Sequence, residues 1–155
     1  MFKRAIVFCL LLAALGLADE PKLPLDKAKV GQWALYKMAN DMKMRQSVVK
    51  VEGRKVTIKN EMWIKGQPLP VQETVIDLDK KVEGARPTEQ PKTEEETLEL
   101  NGHSIKCKVQ TLQNVKTWIG EDVPITGVVK YEIDGKMVME LVGYGDRADE
   151  DKLKK

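Results

Sequence analysis

The chain has 155 residues, 26 Lys and Arg against 24 Asp and Glu, one histidine and two cysteines. Near-balanced charge without a basic cluster argues against nucleic acid, whose binding rests on neutralising phosphates. It also offers no polybasic grip on an anionic membrane, and the length suits one domain with its own core.

Met1-Phe2-Lys3-Arg4 is a short basic start, Ala5 to Leu15 is unbroken apolar sequence, and Gly16-Leu17-Ala18 sets small residues before Asp19-Glu20-Pro21. This layout predicts a secretory signal peptide over 1–18, cut after Ala18. The apolar run is shorter than the roughly 20 residues that span a bilayer, so no stable membrane span is expected after cleavage. Lys3 and Arg4 leave with the signal and no acid does, so the remaining 137 residues carry 24 basic and 24 acidic side chains. They keep only Cys107, so no intramolecular disulfide can form. Together these features predict an exported bacterial protein, periplasmic or extracellular.

After the signal the pattern has a period of two. Val56, Ile58, Met62 and Ile64 alternate with Thr57, Lys59, Glu61 and Lys65, and Ile105, Cys107 and Val109 alternate with Lys106, Lys108 and Gln110. Such alternation marks half-buried strands. Nine strands are predicted, over 32–38, 42–52, 55–64, 71–78, 96–100, 104–112, 116–119, 127–133 and 137–144. Turns are expected at Asn40-Asp41, Glu52-Gly53, Lys65-Gly66, Asn101-Gly102 and Asp134-Gly135. Asn-Gly and Asp-Gly are the strongest of these, because both tolerate the positive φ of tight hairpins. The one helical candidate is a short turn over 25–29. The predicted fold is all-β, mainly antiparallel: a single curved sheet or incomplete barrel in meander order over residues 19–145. The polar, proline-containing stretch 84–97 reads as a loop, and 146–155 as a charged, disordered tail.

Residues suited to chemistry are few. His103 follows a turn, and Cys107 lies about 13 Å further along the same strand, too far to share an ion with it. Cys107 shares a face with Ile105 and Val109, which predicts a buried, inert thiol. There is no nucleophile elbow or glycine-rich phosphate loop. Glu94-Glu95-Glu96 lacks the spaced oxygens of a calcium loop. No catalytic residue, metal or cofactor is assigned, and the chain is expected not to be an enzyme.

Two features could bind a ligand. Six methionines follow the signal, and period two pairs Met42 with Met44 and Met137 with Met139 on shared faces. Methionine there fits either ordinary core filling or a lining for varied apolar ligands. The second feature is Trp118-Ile119-Gly120-Glu121-Asp122-Val123-Pro124-Ile125-Thr126-Gly127-Val128-Val129-Lys130. A strand ending in Trp, a Val-Pro loop and a strand rising from Gly resemble the bacterial envelope half-barrel proteins of the LolA/LppX-like type. That resemblance implies a curved antiparallel sheet around an apolar cavity that carries a lipid-like ligand. Carriers of that type close the cavity with helices, which this chain almost lacks.

Two functions follow as expectations. One is a non-catalytic binding protein that holds a hydrophobic or lipid-like ligand through Met42, Met44, Met62, Trp118, Met137 and Met139. The other is a structural or protein-interaction module of the envelope with a packed interior. A cavity of about 300 Å³ or more favours the first, and a densely filled core favours the second.

Overall fold

The computed structural model describes residues 24–80 and 89–146. The expected signal peptide, residues 84–88 of the expected loop, and the tail from 147 onward lie outside the described residues.

The described chain is one antiparallel sheet preceded by a 3₁₀ turn at Pro24–Lys27. The strands are β1 (Trp33–Met38), β2 (Met42–Glu52), β3 (Lys55–Ile64), β4 (Gln67–Pro68), β5 (Gln72–Asp77), β6 (Lys92–Leu100), β7 (His103–Leu112), β8 (Val115–Gly120), β9 (Val128–Ile133) and β10 (Lys136–Gly145). Four of the hairpins turn on two consecutive left-handed residues: Asn40-Asp41 within a three-residue loop, and Lys65-Gly66, Asn101-Gly102 and Asp134-Gly135 as two-residue loops. This is the backbone whose twist matches the flanking strands.

Each half of the chain is a meander, and the halves join through β1 and β10. The order across the sheet is β4-β3-β2-β1-β10-β9-β8-β7-β6, with β5 also pairing with β3. β4 and β5 share the outer edge of β3: Ile64 pairs with Gln67, and Asn60 pairs with Gln72. Leu69-Pro70-Val71 lies between them, on an edge where the missing N–H of proline costs no ladder bond. β5 and β6 do not meet, so the sheet is not closed into a barrel.

Two expectations need correction. The loop expected over 84–97 gives way at Lys92, because Lys92–Thr97 pairs with β7 from Lys92↔Thr111 to Thr97↔Lys106. Its Thr and Glu side chains stay exposed, and edge strands commonly carry such polar side chains. Met137 and Met139 do not share a face. A bulge sets Met137 opposite Glu132 and Met139 opposite Tyr131, which are successive residues of β9 pointing to opposite sides.

The buried side changes along the sheet. On β1 and β2 it carries Ala34, Tyr36, Met44 and Val48. Following the register outward, Lys37 pairs with Glu140, Glu140 with Lys130, Lys130 with Trp118 and Trp118 with Val109. Directly opposed residues share a face, so Val109 lies on the side of Lys37, opposite to Tyr36. Yet Val109, Cys107 and Ile105 are buried while Lys106 and Lys108 are exposed.

The segment 121–127 joins two hydrophobic clusters, the first of which holds buried residues of both sides. Val123 belongs to the cluster of Tyr36, Met44, Ile105 and Trp118. Ile125 belongs to a second cluster with Leu25, Val48, Val56 and Ile58. Ile125 holds φ at 71°, a costly conformation for a β-branched residue. Its burial to 1% exposure offsets that strain. Gly127, at φ +73°, closes the segment where a Cβ would stand 3.2 Å from both Ile119 Cγ2 and Pro24 Cγ.

Tyr36 anchors the segment: its hydroxyl hydrogen-bonds the Thr126 hydroxyl at 3.1 Å, and its ring is fully buried. Burial pushes the phenol up from 10.0 to about 12, against a smaller downward effect of the Thr126 bond. A raised folded-state pKa means that the neutral phenol's stability is complete below pH 10 and is lost as pH climbs toward 12, by about 2–3 kcal/mol. Tyr36→Phe should therefore cost about 1 kcal/mol at neutral pH through the lost hydrogen bond. The gap to wild type should narrow and reverse above pH 10, as read from urea midpoints across that range.

Candidate functional site

Four of the six ligand candidates from the sequence meet on one face. Met139, Met38 and Met42 form one cross-strand row, and Tyr36, Met44 and Met62 form the next. Met44 is 2% and Met139 4% exposed, within the main cluster, and Met38 and Met62 pack against it. Met42 is half-buried. Methionine here fills irregular space between tyrosine and branched side chains, a role its flexible thioether suits.

Met137 and Trp118 are not in these rows, although Trp118 belongs to the same buried cluster. Both are on the opposite face, where the register aligns Trp118 with Lys130 and Met137 with Glu132. Trp118 is 3% exposed. The Nζ atoms of Lys116 and Lys130 stand 4.5 and 4.8 Å from its ring centroid, and its indole N–H donates to Glu96 Oε2 at 2.8 Å. Lys130 also pairs with Glu132 at 2.6 Å. The arrangement covers an apolar ring with lysine stems while leaving their charges toward water.

All three tryptophans share this face. Lys37 pairs with Lys43, and Lys43 with Trp63, extending the row from Trp118 across the sheet. Trp33 lies four residues from Lys37 on β1, hence on the same side. Its indole N–H donates to the Asp146 carbonyl at 2.9 Å, and the Arg45 guanidinium lies 5.5 Å from its ring. Next to it is an open groove of about 280 Å³ lined by Gly31, Arg45, Ser47, Lys59 and Glu61, among others. Lys59 and Glu61 form an ion pair at 3.0 Å across its floor. This surface is hard to see in the sequence because its residues are the polar half of an alternating strand. The only clue was that Arg45 and Trp33 fall on in-phase positions of neighbouring strands.

The side chains with catalytic or metal-binding chemistry are dispersed. His103 and Ser104 are successive, exposed residues of β7, so they point to opposite faces. The Ser104 hydroxyl hydrogen-bonds the Glu99 carboxylate. Cys107 is 3% exposed; burial and then the Glu96 carboxylate push its thiol up, away from the reactive thiolate. Asp77 accepts the Asp79 amide, and Arg54 ties Asp79 to Asp26, each at 3.1 Å. That exposed bridge fastens the 3₁₀ turn to the end of β5. Among the described residues no three His, Cys, Asp or Glu side chains converge on a metal position, and no helix is long and apolar enough to cross a membrane.

Compared with known protein families, curated proteins and solved structures, the chain matches none.

The methionines can be sorted by stability. Met44→Ala should cost about 2–5 kcal/mol, as truncation in a packed core does, whereas half-buried Met42→Ala should cost roughly 1 kcal/mol or less. Chemical denaturation of the two variants measures the difference. Equal, small losses would mean that the Met44 environment is not tightly packed.

Proposed function

We propose that this chain is an exported, non-catalytic interaction module of the bacterial envelope with a packed interior. The observation that carries the reading is the filling of the methionine face: Met44 and Met139 are spent on packing with Tyr36 and Leu141, and Val123 joins the same cluster. A carrier needs apolar volume, and the open groove described above sets Arg45, Ser47, Lys59 and Glu61 beside only Val48 and Val49. The switch of buried side along the sheet supports the same reading, since one continuous concave apolar face is what a half-barrel carrier uses. Surfaces remain as the means of recognition, and the charged groove beside Arg45 and the sheet edges are what the fold offers. Export rests on the layout of Met1 to Ala18.

Native mass spectrometry of the protein isolated from a bacterial periplasm tests both halves of the reading. The expected species begins at Asp19 and carries no added mass. An intact N-terminus in the cytoplasmic fraction would remove the export reading. A lipid-sized adduct would restore the carrier reading, as would a shift in tryptophan emission on titration with a fatty acid.

A further inference from the structure

The two edges of the sheet differ in chemistry. β6 presents Glu94, Glu95, Glu96 and Glu99 along an exposed strand. Glu94 pairs with Lys92 at 2.5 Å, Glu96 accepts the Trp118 indole and Glu99 the Ser104 hydroxyl. Its first six residues offer an incoming strand no apolar side chain. This is the charged blunting by which sheets avoid edge-to-edge association.

β5 is different. Among the described residues nothing pairs with its outer edge. Val75 is 62% exposed and Val71, just before the strand, 54%. Ile76 is held against the second core cluster, and the register to β3 is continuous from Lys55↔Asp77 to Asn60↔Gln72. The edge is therefore fixed in extended form, which lowers the ordering cost of pairing with it. On one face the strand carries Glu73, Val75 and Asp77 in alternation, acid-apolar-acid. Lys59, opposite Glu73, is already paired with Glu61.

A second copy of the chain fits this edge poorly. Antiparallel β5–β5 pairing centred on Val75 would bury the two valines but set Glu73 against Asp77 of the other copy twice, and like charges directly opposed are destabilising. The complement is a strand with basic residues flanking an uncharged centre. β3 supplies that pattern on the inner side: Lys55 faces Asp77, Thr57 faces Val75 and Lys59 faces Glu73.

We infer that the outer edge of β5 is a strand-addition site for an extended polypeptide segment of alternating basic and uncharged or apolar residues, an inference that rests on the interaction-module reading. Backbone hydrogen bonds to the open edge supply affinity, and the Glu73-Val75-Asp77 face selects the partner.

The probe is the blocked peptide acetyl-Arg-Lys-Val-Thr-Ile-Lys-Asn-amide, which copies residues 54–60, titrated into the full-length mature protein by ¹H–¹⁵N NMR. The expected result is saturable shift of the amides of Gln72–Asp77. A peptide with both lysines replaced by glutamate should bind at least tenfold more weakly, and so should the wild-type peptide to Val75→Lys. Val75 is solvent-facing, so an unchanged thermal midpoint should show that the variant folds; Glu73→Lys provides a second variant with the same expectation. Absence of shifts at millimolar peptide, shifts centred on Lys92–Leu100, or equal binding of the glutamate peptide would each overturn the proposal. Self-association that Val75→Lys abolishes would also overturn it, by giving the edge to a second copy. A lipid adduct in native mass spectrometry would instead strike the interaction-module reading and leave the peptide result to be judged alone.

Discussion

β1 and β10 run side by side from Met38↔Met139 to Trp33↔Gly145, and the rest of the architecture depends on this pairing. Each half of the chain is a local meander that hairpin turns could form alone. A meander of a few strands has one apolar face and nothing to lay on it. Joining the halves at their first and last strands makes a single sheet in which Tyr36, Leu141, Met44 and Met139 become neighbours. The same pairing sends β5 and β6 to the outside, so it decides which backbone is left open.

Segment 121–127 gives that sheet a filled interior. A ten-stranded open sheet twists strongly, and here the buried side changes between β1 and β7. Val123 enters one cluster and Ile125 the other, and the Tyr36–Thr126 hydrogen bond fixes the chain between them. The left-handed conformation of Ile125 is the cost of this short path. The loop from Trp118 to Gly127 is packed against the 3₁₀ turn through Gly127 and Pro24.

Much of the fold was legible because hairpins are local. Period two placed β2 and β3 with their observed bounds, and Asn101-Gly102 and Asp134-Gly135 marked tight turns through the φ they tolerate. Lys92–Thr97 was not legible: its polar residues read as loop, and only the ladder to β7 makes it a strand. Met137 and Met139 failed for a related reason, since the bulge that reverses one of them arises from pairing with β9 and leaves no trace in β10. The candidate site was less legible still. Alternation marks Met44 as inward but is silent on whether inward means cavity or core, and it treats Arg45, Lys59 and Glu61 as solvent-facing strand residues.

The sequence by itself determined the all-β class, the hairpins and the buried state of Cys107, because these rest on side-chain period and turn conformation within a few residues. Tertiary structure alone decided that β1 meets β10, that Trp33, Trp63 and Trp118 share a face, and that β5 and β6 fall at opposite edges of the described sheet. Those outcomes depend on register between strands far apart in the chain. A shift of one residue in any pairing moves every side chain of that strand to the other face, and no local pattern encodes which shift wins.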